Sequence, residues 1–420
     1  MGTAKPGGLA DARRLTPNLA AGALLVVLAA ALLLWQRPWE SSTPDGVVPV
    51  PDDASSLIAE QFRELADADT ERAFLAAAGS GGRARTFATD AWQARSVLDV
   101  ADVEMRYVSG GDVPDRADGS TLAEVSVSWR AGRDSAVTGT SVRDATVAFR
   151  LDPQRNGTFA IRSASAQDEP LPLWLAGRIS VEREPGVRVI AVDGGVPDID
   201  GPAMARVARD HVRDVVPGVE SDLTIVSPRT RALAADLVGR PERGIGPIAA
   251  VTTTVDGGTR TARVIALNPA HFADMDARAA QVVVSHEAAH LLTGALGSDG
   301  EVWVIEGFAD FVALHDDDAP LSLSAGQVLR QVKEDGAPEA LPSSNDFGQG
   351  EHLGAVYESA WMVFRMLGER HSDEVILAFY RDVLSGTDVR SAVRRAFDVS
   401  VAELTEQWRD YLTKSASTVS

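Results

Sequence analysis

The chain has 420 residues, enough for two domains besides any anchor, and its 24% charged and 45% hydrophobic residues are those of an ordinary globular protein. A formal net charge of −20, with no basic stripe interleaved with aromatics, repels phosphate backbones and sets nucleic acid aside as a partner. No cysteine is present, so disulfides and cysteine-linked lipids are excluded and the compartment must be read elsewhere.

It is read at the N-terminus. Leu19 to Trp35 is an uncharged run of mainly Leu, Ala and Val, bounded by Pro17-Asn18 and Gln36-Arg37-Pro38. At about 1.5 Å per residue it spans about 26 Å, near the short end for a membrane helix. Lys5, Arg13 and Arg14 precede it and only Arg37 closely follows, so residues 1–18 are expected as a cytoplasmic tail, 19–35 as a single transmembrane helix, and the rest outside the cytoplasm. A cleaved signal peptide is the competing reading. Ala29-Ala30-Ala31 mimics its cleavage site, but Leu32-Leu33-Leu34-Trp35 carries the apolar run beyond that point.

Residues 36–52, with Pro38, Pro44, Pro49 and Pro51, read as a linker. Residues 53–185 are expected to form a small α+β domain. Leu57, Ile58, Phe62, Leu65, Phe74 and Leu75 repeat with a helical period over 53–79. Alternating segments follow at Val103–Val108, Val125–Trp129, Thr146–Leu151 and Phe159–Ile161, the last two joined by an Asn156-Gly157 turn. A helix followed by an antiparallel meander looks like a cystatin- or nuclear-transport-factor-type cone. Asn156-Gly157-Thr158 also matches a glycosylation acceptor, although in a hairpin an Asn-Gly pair needs only the backbone explanation. The turn at Glu184-Pro185-Gly186 is taken as the domain boundary.

From 186 to 415 the pattern is that of a second, mostly helical domain with a small mixed sheet: strands at Val187–Val192, Leu223–Val226, Ala249–Val255 and Ala262–Leu267, and helices at Ala203–Val215 and Arg231–Val238. A helix begins near Asp276 and carries His286-Glu287-Ala288-Ala289-His290. Two histidines four apart on a helix share a face, so both imidazoles reach one tetrahedral metal. Glu287, beside the first of them, has the position of a general base toward water. Metzincin zinc sites need Gly and His where this chain has Thr293 and Leu296, so that class is excluded. After a break rich in Gly and Asp comes Trp303-Val304-Ile305-Glu306-Gly307-Phe308-Ala309-Asp310. A second helix returning antiparallel brings Glu306 to the metal as third ligand, with Asp310 on the same face to accept the outer N–H of a ligand histidine.

These two motifs, His286-Glu287-x-x-His290 and Trp303-x-x-Glu306-Gly307-Phe308-Ala309-Asp310, resemble those of the gluzincin metallopeptidases, and within them the peptidase-MA-like families; the likeness extends loosely over residues 191–412. The resemblance implies a zincin-like fold, Zn2+ held by His286, His290 and Glu306, and Asp310 orienting His286. By the same analogy Ala262–Leu267 is the sheet edge that aligns an extended substrate. Gluzincins often set a tyrosine on a downstream helix facing the metal, which favours Tyr357 as the oxyanion donor; a core tyrosine with its hydroxyl at the rim is the other reading. His352 is a further candidate, and His371 reads as a helix-end residue. His211, His271 and His315 have no ligand spacing, and Asp316-Asp317-Asp318 reads as a solvated acidic turn rather than a calcium site.

The expected molecule is therefore a cell-membrane protein of α+β class: a single-pass anchor, a cystatin-like domain and a zinc metallopeptidase domain acting on extracytoplasmic peptides or proteins. The alternative is a membrane-tethered binding or sensor protein whose peptidase-like domain is inactive.

Overall fold

The computed structural model describes residues 50–111, 118–131, 142–246, 248–254, 263–347 and 353–419. Leu19–Trp35 and His352 lie outside the described residues. Among those described, no helix is long and apolar enough to cross a membrane.

Ile58, Phe62 and Leu65 form the buried stripe of α1 (Ala54–Asp67). The helical period expected over 53–79 breaks at residues 68–70, where Thr70 caps α2 (Glu71–Ala77) by accepting from the Ala73 N–H. A third helix, α3 (Gly82–Val97), buries only alanines, Ala84, Ala88, Ala91 and Ala94, so it lies close against its neighbours without a large apolar stripe. These helices cover a four-stranded antiparallel meander in the order β1 (Val100–Gly110), β2 (Thr121–Ala131), β3 (Val142–Pro153), β4 (Phe159–Ala166). Ala123, Val125, Val127 and Trp129 alternate into this core along β2, and the Phe62 ring lies 4.6 Å from Phe149 of β3. At the β3–β4 turn Gly157 has φ +80°, and Asn156 Oδ1 accepts from the Thr158 N–H and hydroxyl. The turn chemistry alone accounts for that pair.

A second, mixed sheet has the order β5 (Ile179–Glu184), β6 (Val187–Val192), β7 (Leu223–Pro228), β9 (Arg263–Leu267), β8 (Ala250–Thr254). β6 and β7 are parallel, as are β7 and β9, while both outer strands run antiparallel to their neighbours. Two expectations change here. Glu184-Pro185-Gly186, read as a domain boundary, is the hairpin turn joining β5 to β6, so this sheet starts at Ile179. A Pro-Gly turn signal does not say whether it separates domains or joins strands. The edge near the metal helix is β8, not Ala262–Leu267, because the crossover from β7 delivers β8 to the outside and β9 returns antiparallel to it, into the place beside β7.

The sheet is buried on both faces. Val187, Val189, Leu223, Ile225, Ile265 and Leu267 pack with the helical core, whereas Ile190, Val192, Val226 and Val264 pack with Trp174 and the core of the first layer. On the helical side lie α4 (Gly201–Val215), started by the Asp200 cap, and α6 (Ala277–Thr293), started by the Asp276 cap and ended by Gly294 at φ +76°. Between them in sequence α5 (Arg231–Leu237) crosses from β7. The remaining chain is α7 (Val302–Ala313), α8 (Gly326–Asp335), α9 (Leu353–Gly368), α10 (Asp373–Leu384), α11 (Val389–Phe397) and α12 (Val401–Thr418). Phe308, Phe364, Phe379, Tyr380 and Trp408 fill their shared core, with Phe308 stacked on Tyr380 at 3.8 Å.

α7 packs against α6 on one side and α9 on the other. The approach to α9 is set by Gly307: a Cβ there would stand 2.7 Å from the Ala360 carbonyl oxygen and 2.8 Å from the Phe364 ring. Gly307→Ala must push the two helices apart and should destabilise by about 1–3 kcal/mol, the usual cost of overpacking. A thermal-unfolding midpoint equal to wild type would show that α9 yields freely.

Candidate metal centre

Helical spacing places His286 and His290 one turn apart on α6. Their rings meet edge to face at 4.6 Å with the two Nε2 atoms 3.0 Å apart. Glu306, on the first turns of α7, sets its Oε2 3.2 Å from His286 Nε2 and 3.3 Å from His290 Nε2. Tetrahedral zinc with bonds of about 2.0–2.1 Å separates its ligand atoms by about 3.3 Å, so this triangle has the dimensions of one open zinc site, and two histidines with a carboxylate are a zinc donor set. Among the described residues it is the one group of three or more such side chains that could hold a metal ion.

Asp310, one turn beyond Glu306, accepts a hydrogen bond from His286 Nδ1 at 2.7 Å. In neutral His286 that bond places the ring proton on Nδ1 and leaves the Nε2 lone pair facing the other two donors. Burial disfavours the His286 cation, but Asp310 and Glu306 outweigh it and hold the pKa well above the ordinary histidine value. Burial likewise pushes Glu306 up, and its hydrogen bonds from His286 and His290 outweigh that, leaving the carboxyl below the usual range.

Glu287 faces β8. Its Oε2 accepts from the Thr252 backbone N–H at 2.7 Å and lies 2.8 Å from Thr252 Oγ1, which is also 3.0 Å from the Glu287 carbonyl oxygen. Sequence reasoning places Thr252 in a strand and misses its role, since its partner lies 35 residues away and a Thr252-Thr253-Thr254 run carries no signal of that contact.

Tyr357, on the first turns of α9, has its ring centre 6.1 Å from that of His286 and packs edge-on to Phe347 at 5.2 Å. Burial first, then the charges of Glu306, Asp310 and Glu287, raise its pKa, so the hydroxyl keeps its proton and remains a donor. The next residue, Glu358, ties this turn of α9 to α8 by accepting from the Gln327 and Val328 N–H groups, both at 2.8 Å.

The other described histidines are engaged elsewhere: His211 with Ser285, His271 with the Gly246 carbonyl, His315 with Asp373 at 3.5 Å, and His371 against the Phe397 ring. Asp317 of the acidic turn is paired with Arg278 and Ser324.

No protein-family model and no curated relative matches the sequence. Among solved structures, a mutant M1 zinc metallopeptidase of Deinococcus radiodurans bound to a Tyr-Ser-Ala substrate is similar at 10% identity, with a TM-score of 0.36, over 70% of this chain and 90% of that one. A mutant two-domain M1 zinc metallopeptidase bound to L-tryptophan is similar at 11% identity and TM-score 0.36, over 74% of this chain and 94% of that one.

Asp310→Asn keeps the shape of the acceptor but removes its charge from His286, so zinc affinity should fall by about 10–100-fold. Competition titration against a chelator measures it. Equal affinity in the variant would leave Asp310 without a part in metal binding.

Proposed function

We propose that the chain is a zinc-dependent metallopeptidase. The observation that carries the reading is the His286–His290–Glu306 triangle, three donors 3.0–3.3 Å apart with Glu287 on the same helix as two of them. When bound there, zinc supplies the positive charge that acidifies water and polarises a carbonyl oxygen. His286, His290 and Glu306 hold the ion, and Asp310 keeps the His286 ring oriented. Glu287 takes the proton of the attacking water and returns it to the departing amine. Tyr357, which stays protonated, donates to the oxygen that becomes negative as the carbonyl carbon turns tetrahedral. The substrate class is a peptide or protein, and the sequence motifs support the gluzincin type.

The same reading makes Leu19–Trp35 the membrane anchor, with residues 1–18 in the cytoplasm and the site outside it. What supports this is the uncharged run and the Lys5, Arg13 and Arg14 bias ahead of it.

With full-chain protein in detergent, the wild type should carry about one zinc and the His286→Ala/His290→Ala variant almost none. Glu287→Gln should retain the metal and lose about 100-fold or more in turnover of a peptide library. A glutamine variant that turns over at the wild-type rate removes Glu287 from the chemistry; a zinc-loaded wild type that cleaves nothing leaves a tethered binding protein. Protease added outside intact cells should digest the chain beyond Trp39, and a fully protected site domain would reverse the topology.

A further inference from the structure

Thr252 is 5% exposed and lies at the centre of β8, the edge strand of the mixed sheet. β8 pairs with β9 on one side, Thr252 opposite Ile265, and backbone N–H groups alternate sides along a strand. The Thr252 N–H bonds Glu287 and therefore points to the free side, away from β9. The hydroxyl's one proton stands between the same carboxylate oxygen at 2.8 Å and the Glu287 carbonyl oxygen at 3.0 Å, the nearer and charged acceptor being Oε2, so Oε2 faces two donors at 2.7 and 2.8 Å. Hydrogen bonds to a carboxylate are the short and strong kind, and two converging on one oxygen remove the freedom of the carboxylate to rotate.

We propose that Thr252 is the positioning residue for Glu287: its N–H and hydroxyl pin Oε2 to the edge strand and thereby assign the water proton to Oε1. The proposal rests on the peptidase reading. It gives strand β8 a part in setting the base that a strand serving only as a wall of the site would not have. Thr252 touches no reacting atom and acts through Glu287. Because a general base works within a narrow hydrogen-bonding range of the proton it removes, a carboxylate free to turn spends less time in the productive pose.

The test uses the zinc-loaded full chain. Thr252→Val keeps the backbone bond and the side-chain volume while deleting the hydroxyl, so kcat should fall about tenfold, with KM within about twofold of wild type and zinc content unchanged. Thr252→Ser restores the hydroxyl and should restore kcat to within about threefold of wild type. Where valine does not fold, Thr252→Ala removes the same hydroxyl without adding a methyl and should give the same fall. Independently of activity, the losses in thermal midpoint of Thr252→Val and Glu287→Ala should be less than additive in the double variant, since each deletes the same bond. A zinc-loaded valine variant with wild-type kcat, or strictly additive midpoint losses, overturns the proposal while the peptidase reading stands. Failure of that reading looks different: the zinc-loaded wild type cleaves no peptide, and the proposal falls with it even where the midpoints are coupled.

Discussion

Two imidazole nitrogens and a carboxylate oxygen, all largely buried, converge to within 3.0–3.3 Å of one another between α6 and α7. Two lone pairs and a negative charge at that range repel unless a proton or a cation joins them, and burial strengthens the repulsion. The surrounding structure is arranged to keep them there. α6 is capped at both ends by Asp276 and Gly294, which fixes where its histidines stand. α7 is gripped between α6 and α9, and Gly307, adjacent to Glu306, lets α9 come close enough for Tyr357 to reach the rim. The price of concentrating polar groups in a core is covered by Asp310 and Thr252, which hydrogen-bond His286 and Glu287.

What was legible in the sequence and what was not divides along contact range. Helical spacing is local arithmetic, so His286, His290 and the pair Glu306 and Asp310 could be assigned to shared faces, and a Gly-rich break pointed to a returning helix. The alternating strands of the meander were legible for the same reason, although each extends past the segment read; in β2 the outward polar residues Glu124 and Arg130 continue the pattern on either side of Val125–Trp129. α3 was not, since a stripe of alanines carries little hydrophobic contrast.

Long-range pairing was the other blind spot. Nothing in the residues Ala250–Thr254 says that they outflank Arg263–Leu267, or that Thr252 meets a carboxylate on a helix two elements later. The Pro-Gly turn at 185–186 was visible as a turn and misread as a boundary, because strand order is decided by which faces can be buried together. Tyr357 remains the most context-dependent of the site residues: its helix was visible, while the company of its ring depends on how α9 crosses α7.

The mixed sheet with two buried faces has a consequence for how this chain can be cut. Ile190, Val192, Val226 and Val264 are fully buried on the side away from the metal helix, under Trp174 and the first layer. A fragment starting at Val187 would turn that face to water and forgo about 1.5–3 kcal/mol for each large apolar side chain uncovered, a deficit comparable to the whole stability of a domain. Such a fragment would also lose β5 and gain a new open edge, the two ingredients of strand-mediated aggregation. The residues ahead of β6 thus serve as the sheet's solubilising half.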